Sequence, residues 1–532
     1  MVFAREVAHT IRLATSRRRF LLSTGWLAGI ALSAGPISQT RPVQPPRGSY
    51  PFTLGIASGD PLESSVVLWT RLAPDPLAPD GGMPPRPIPV RWEVYADAHM
   101  QRVVRRGTAI ARPEYAHSVH VDVQGLSPDR EYYYRFMAGK EESPLGRTRT
   151  APSRGSQINR LAFAFASCQE FHSYYPAYGH MAREDLHFVV HLGDYIYENV
   201  LRAPRGLSLP AEVALEPQEL ASYRIRHALY KSDPQLQAAH AAFPWIVTWD
   251  DHEVENNYAS EYSEDYPSVS PEEFLVRRAA AYRAYWEHMP LRVPSPEGPS
   301  LRLYRQLSFG DLLKLHVLDT RQYRDRQTSC AGEAMVEGYC RSATDPTRTI
   351  LGEEQLQWLM QSLDSSRATW NVLAQQIIFS QRDNLPGPGM NYVGNGDQWD
   401  GYKSDRDRLL DFLRTRRPSN PIIITGDVHR NYAYEVKADF ADPNSQTLGA
   451  EYVGTSISSG GTPTKREMVL GGTQDDPHQV MYNNSRGYVR CRITREVWQA
   501  DYRVVDTVSR PESPISTLIT LTSEDGDPGI KL

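Results

Sequence analysis

The sequence predicts an all-β sandwich of immunoglobulin or fibronectin type over residues 50–152, followed over 158–510 by an α/β (α+β) domain. Three observations lead there. Seven short β-prone runs separated by turn residues fill the first hundred folded residues without any helical periodicity: Phe52–Ala57, Ser65–Thr70, Val90–Tyr95, Val103–Ala109, Ser118–Val123, Glu131–Met137 and Gly146–Thr150. Beyond them the pattern changes. Apolar runs at Leu161–Ala166, Phe188–Leu192, Trp245–Trp249, Leu312–Leu318, Trp370–Gln375 and Ile422–Thr425 alternate with stretches of helical period, such as Glu272–His288 and Glu353–Leu363. The composition, 40% hydrophobic and 23% charged over 532 residues, supports a large buried core and is too long for one ordinary domain.

Taken in order, the chain opens with Ser16-Arg17-Arg18-Arg19-Phe20-Leu21, an apolar run Leu21–Ala34 and small residues at Ser33–Gly35. Charged, apolar and cleavage-type segments in that order predict an export signal over 1–38, and the paired arginines before Phe-Leu resemble a twin-arginine signal. The expected partner is the twin-arginine export machinery, and the expected location is periplasmic or extracellular. As a helix the apolar run would reach only about 21 Å, short of the roughly 30 Å hydrocarbon core, so no transmembrane anchor is expected in the mature form. Residues 39–49 read as a linker, the proline-rich insertion Ala73–Pro89 as a loop, Ala151–Gln157 as the bridge between domains, and 511–532 as a C-terminal tail. Val489–Thr494 and Trp498–Val505 read as strands that complete a sheet.

The formal charge of −5 provides no basic field, which argues against stable nucleic-acid binding. Only seven of the 58 basic residues are lysine, a skew that a G+C-rich coding bias explains. Of the four cysteines, Cys330 and Cys340 flank a short loop and are expected to bridge in an oxidising compartment, and Cys491 reads as a buried apolar side chain.

Four of the predicted strands run directly into metal-binding residue types. Leu161–Ala166 leads to Ser167-Cys168, and Phe188–Leu192 to Gly193-Asp194-Tyr195-Ile196-Tyr197. Trp245–Trp249 leads to Asp250-Asp251-His252-Glu253, and Ile422–Thr425 to Gly426-Asp427-Val428-His429. Ligand sites in α/β sheets lie at the carboxyl ends of strands, so these groups can converge. Crowded carboxylates need cations to offset repulsion and desolvation. Asp194, Asp251 and Asp427 suit hard cations, whereas Cys168, Tyr197 and His429 suit iron or another transition metal, and Asp194 is the best placed bridging ligand. His191 and His180 read as packing residues.

These motifs, together with Leu318-Asp319-Thr320-Arg321, Trp399-Asp400-Gly401-Tyr402 and Asn484-Ser485-Arg486-Gly487-Tyr488, resemble the PhoD-type alkaline phosphatases, a branch of the metallophosphoesterases. The resemblance runs from about Phe52 to Val508. It implies a metallophosphoesterase core of two packed mixed sheets flanked by helices, with Fe³⁺ beside one or two Ca²⁺. Carried over by position, Cys168, Asp194, Tyr197 and His429 would hold iron, and Asp194, Asp251 and Asp427 would serve calcium, with Asn256 a further candidate. His252 would stabilise the transferring phosphoryl group or protonate the leaving oxygen. Arg321 is a candidate phosphate clamp, with a structural ion pair to Asp319 or Asp325 as the alternative. The implied activity is hydrolysis of phosphate mono- and diesters by a metal-activated hydroxide, with small-molecule phosphate esters, phospholipids or nucleotides as the implied substrates. A phospholipase D-like phosphodiesterase is the alternative within that chemistry. An inactive surface-binding protein is the alternative outside it. Loops Leu201–Leu220 and Asn384–Gln398 are expected to shape the pocket.

Overall fold

The computed structural model describes residues 50–383, 392–393, 396–473 and 476–532; the expected leader and linker, and most of the loop Asn384–Gln398, lie outside the described residues. Among those residues no helix is long and apolar enough to cross a membrane.

The N-terminal region supplies β1 (Ile56–Gly59), β2 (Ser65–Arg71), β3 (Ile88–Tyr95), β4 (Val103–Ala111), β5 (Ser118–Gln124), β6 (Glu131–Ala138), β7 (Glu141–Glu142) and β8 (Gly146–Arg149). Then follow β9 (Leu161–Ala166), β10 (Phe188–His191), β11 (Pro244–Val247), β12 (Arg305–Phe309), β13 (Leu313–Val317), a small hairpin of β14 (Met335–Val336) and β15 (Tyr339–Cys340), β16 (Trp370–Ala374) and β17 (Pro421–Thr425). The last third adds β18 (Asn431–Lys437), β19 (Thr447–Val453), β20 (Met468–Leu470), β21 (Gln479–Asn483), β22 (Gly487–Ile493), β23 (Val497–Val505), β24 (Ile515–Glu524) and β25 (Asp527–Lys531).

Two large mixed sheets dominate. One has ten strands in the order β25-β24-β23-β22-β9-β10-β11-β1-β2-β5, and the other has eight in the order β12-β13-β16-β17-β19-β18-β21-β20. Alternation along the strands explains how they stack. Phe163 and Phe165 of β9, Phe188 and Val190 of β10 and Ile246 of β11 face Leu313, Leu315, Val372, Ile422 and Ile424 of the second sheet in one core. Phe188 stacks on Phe163 at 4.9 Å and on Phe309 at 4.4 Å, so Phe188→Ala would cost about 3–5 kcal/mol. The opposite faces are covered by helices. Ala164, Val189 and Trp245 pack with Met181, Leu236, Tyr282 and Tyr285, and Leu373 and Ile423 pack with Leu356, Leu359, Leu409 and Leu413.

Two features differ from the sequence reading. The N-terminal strands do not form a closed unit: β1, β2 and β5 extend the ten-stranded sheet, because β1 pairs in parallel with β11 at Ser58↔Pro244 and Gly59↔Trp245. Their Val66, Leu68, Val119 and Val123 share a core with Val90, Val94, Tyr134 and Phe136 of the separate five-stranded sheet. Residues 511–532 are not a loose tail, since β24 pairs with β23 over nine residue pairs and β25 closes that edge. In both cases pairing satisfies backbone groups that an open sheet edge would leave exposed. Local sequence pattern carries no record of such long-range partners. The Cys330–Cys340 disulfide is present, and Cys168 and Cys491 are buried free thiols.

Candidate active site

The strand ends converge at the seam between the two sheets. Cys168, Asp194 and Asp251 follow β9, β10 and β11 of the ten-stranded sheet, whereas Asp427 and His429 follow β17 of the facing one. Cys168, Asp194, Asp427 and His429 all have φ between 51° and 61°, a conformation L-residues rarely adopt and one that turns each side chain out of its strand. Gly193 has φ 107°, and a Cβ there would lie 2.4 Å from that of Asp250, so only glycine lets the two turns meet.

Ligand atoms of Cys168, Asp194 and His429 lie within 4.8 Å of one another, as do those of Asp194, Asp251 and His252 and those of Asp250, Asp251 and Asp427. Tyr197 joins the first group. Its hydroxyl donates to Asp194 Oδ2 at 2.7 Å, lies 2.9 Å from His429 Nε2 and accepts from Ser459 Oγ at 2.9 Å. Burial and then the Asp194 charge push the Cys168 thiol and the Tyr197 phenol well above their ordinary ranges, and burial pulls His429 down to about 3. Burial raises Asp194 and Asp250 strongly and moves Asp427 to about 6. Burial also works against ionisation of Asp251, but Arg321 and His252 outweigh it and hold this carboxyl below its usual value.

His252 Nδ1 lies 2.7 Å from Glu198 Oε2, and its ring sits 4.2 Å from that of Tyr197. Burial disfavours its charged form, yet Glu198, Asp251 and Asp194 together raise it well above the ordinary histidine value. Nε2 has no hydrogen-bond partner among the described residues.

The family models match this architecture directly. A PhoD-like phosphatase model covers residues 163–502, and the model of the N-terminal domain of PhoD-like phosphatases covers 38–152. The chain belongs to the PhoD-like phosphatase family. It is 48% identical over 530 residues to alkaline phosphatase D of Bacillus subtilis (strain 168), covering 97% of this chain and 88% of that one. A solved structure of PhoD superposes with a TM-score of 0.83 at 47% identity, covering 94% of this chain and 93% of the other. As a PhoD-like phosphatase the protein is an enzyme that hydrolyses phosphoric esters.

Within this PhoD-like site the metal question can be put to the donors themselves. Asp194 Oδ1, Asp250 Oδ2 and Asp251 Oδ1 are buried and have no hydrogen-bond donor. Stranding three carboxylate oxygens in this way costs several kcal/mol unless a cation meets them. The residues therefore fit metal ions.

Arg321 does not fit the clamp reading. It is fully buried, with Nε donating to Asp250 and with Nη1 and Nη2 donating to Asp397 at 2.7 and 3.0 Å. Nor does its guanidinium pair with Asp319 or Asp325; Asp319 instead accepts from the Arg321 backbone N–H at 3.0 Å. Its charge lies 3.7 Å from Asp251 and 4.0 Å from Asp427, so it is an internal counter-ion that positions the acidic turn. Asn256 points away too, its side-chain amide donating to Glu264 at 2.7 Å. His191 stacks on Trp245 and His180 bonds the Ser513 carbonyl, both as packing residues.

Sequence reasoning missed several participants. Asp250 joins the acidic group, a role readable from its place directly before Asp251. Glu253 accepts from the backbone N–H groups of Asp194, Tyr195 and Asp250 at 3.1, 2.6 and 2.8 Å, tying the β10 turn to the β11 turn. Gln398 donates to Asp427 Oδ2 at 2.7 Å. Nothing local in the sequence marks Gln398 or Asp397.

Proposed function

We propose that this PhoD-like phosphatase is an exported, metal-dependent phosphoesterase with a metallophosphoesterase core, acting on phosphate mono- and diesters. The observation that carries this reading is the trio of buried acceptor oxygens on Asp194, Asp250 and Asp251, left without donors at the mouth of four strands. Cys168, Asp194, Tyr197 and His429 form a mixed sulfur, oxygen and nitrogen set suited to Fe³⁺, and Asp194, Asp250, Asp251 and Asp427 form an all-oxygen set suited to Ca²⁺. When bound, such cations lower the pKa of water and neutralise charge on phosphoryl oxygens.

The chain's own residues account for the rest. Glu253 and Arg321 hold the acidic turns in register, so the carboxylates are placed before substrate arrives. Hydrolysis adds the oxygen of water to phosphorus in line and breaks the bond to the alcohol. His252, oriented by Glu198 2.7 Å from its Nδ1, is positioned to give an Nε2 proton to the departing oxygen. Residues 1–38 would deliver the enzyme through the twin-arginine route.

Metal analysis with visible spectroscopy tests the assignment. A tyrosinate-to-Fe³⁺ charge-transfer band is expected, lost in Tyr197→Phe. A colourless, fully active, zinc-only protein would contradict it. For export, replacing Arg17 and Arg18 by lysine should leave the protein in the cytoplasm; unchanged export would remove the twin-arginine reading.

A further inference from the structure

Buried arginines in this protein are answered in two ways: Arg324 and Arg406 by the carboxylates of Asp397 and Asp400, and Arg71, Arg226 and Arg278 by backbone carbonyls of Ala116, Tyr197 and Ser260. Two beside the active site share a single carbonyl. Arg430 and Arg486 each donate through Nη1 to the same acceptor, the His429 carbonyl oxygen, at 3.0 Å, and among the described residues neither forms an ion pair. Arg486 Nη1 also reaches the Asn484 carbonyl at 2.8 Å, and its Nε is buried without a partner. Arg486 is only 4% exposed, whereas Arg430 is half-buried.

Their position ties them to the reacting centre. A Cβ on Gly460, which has φ +71°, would lie 2.9 Å from Arg486 Nη2 and 3.8 Å from His429 Nδ1, so both line the same glycine-opened rim. The preceding residue, Ser459, donates to the Tyr197 hydroxyl at 2.9 Å. Two guanidiniums sharing one carbonyl repel each other, and an anion bridging them would relieve that cost. Phosphate is the natural anion, since the guanidinium fork matches its oxygens.

We propose that Arg430 and Arg486 form an anion-reading wall of the active site that favours the dianionic phosphate of a monoester over the monoanionic phosphate of a diester. This rests on the phosphoesterase reading above and specifies its substrate class. A terminal phosphate carries close to two charges above its second pKa of about 6, and a diester carries one. The wall therefore binds the extra oxygen charge that only the monoester has.

The test is Arg430→Ala, chosen because that side chain holds no carboxylate and is half-exposed. Rates are measured on 4-nitrophenyl phosphate and bis(4-nitrophenyl) phosphate, together with inhibition by inorganic phosphate and metal content. A charge-assisted contact predicts a loss of about 10–100-fold in kcat/KM for the monoester and a similar weakening of phosphate inhibition. Diester hydrolysis should change less than about threefold, and Arg430→Lys should recover part of the monoester rate. Gly460→Ala, which crowds Arg486 Nη2, should shift the same ratio in the same direction. Equal losses on both esters, or unchanged phosphate inhibition in Arg430→Ala, would overturn the proposal. Failure of the phosphoesterase reading would look different, since the metal-loaded wild type would then hydrolyse neither ester.

Discussion

Two groups of buried carboxylates behave differently. Asp400, behind the active site, is saturated: it accepts from Arg406 at 2.6 Å, Tyr339 at 2.8 Å and the Arg382 backbone at 3.0 Å. Asp194, Asp250 and Asp251 are equally buried, but each keeps one oxygen without a donor. The first arrangement is complete in the folded chain, and the second is complete only with a partner from outside. That contrast, rather than burial or charge alone, separates a carboxylate satisfied by the fold from one that fits a cation here.

The largest effect should come from exchanging the two kinds. Asp194→Ala should bring hydrolysis of an aryl phosphate below detection while leaving the thermal midpoint of the metal-free protein unchanged or higher. Asp400→Ala should do the opposite, costing about 3–5 kcal/mol by stranding Arg406 while the protein that remains folded keeps its metals. Thermal melts with elemental analysis decide between these outcomes. If Asp194→Ala melts as early as Asp400→Ala, the contrast fails.

Next in size is Glu253→Gln. Its carboxylate serves three backbone donors, and an amide cannot accept from all of them. A loss of about 10–100-fold in metal affinity or activity is expected, as for other residues that orient ligands. A metal titration followed by activity would show it, and unchanged affinity would place Glu253 outside the site's support.

The smallest effect concerns Lys231, a buried cation with no carboxylate. It lies 3.5 Å from His240 Nε2 and 4.4 Å from the Trp69 ring, and burial pushes it down to about 7. Between about 7 and its ordinary 10.5 the unfolded chain binds more protons than the folded one, so stability should rise with pH across that window. Lys231→Met should flatten that rise, measured by denaturant melts at several pH values. An unaltered slope would show that Lys231 stays charged or paired.

Much of this was legible in the sequence because it was local. Cys168, Asp194, Asp251, Asp427 and His429 each stand directly after an apolar run, and the strand itself announces where the candidate ligand will be. The partners that finish the site were not legible. Arg321 looked like a phosphate ligand because its counter-charges, Asp250 and Asp397, lie 71 and 76 residues away. The same reason hid the joining of β1 to β11 and the pairing of β22 with β9, at the heart of the ten-stranded sheet. Periodicity reports which face of a strand is buried, and not which strand lies beside it.

The most direct measurement is hydrolysis of an aryl phosphate by protein stripped of metals with a chelator and then resupplied with Ca²⁺ and Fe³⁺. The account predicts no activity in the stripped wild type, recovery on resupply, and no recovery in Asp194→Ala under the same conditions. A stripped protein, verified metal-free by elemental analysis, that hydrolyses the ester at the full rate would contradict it.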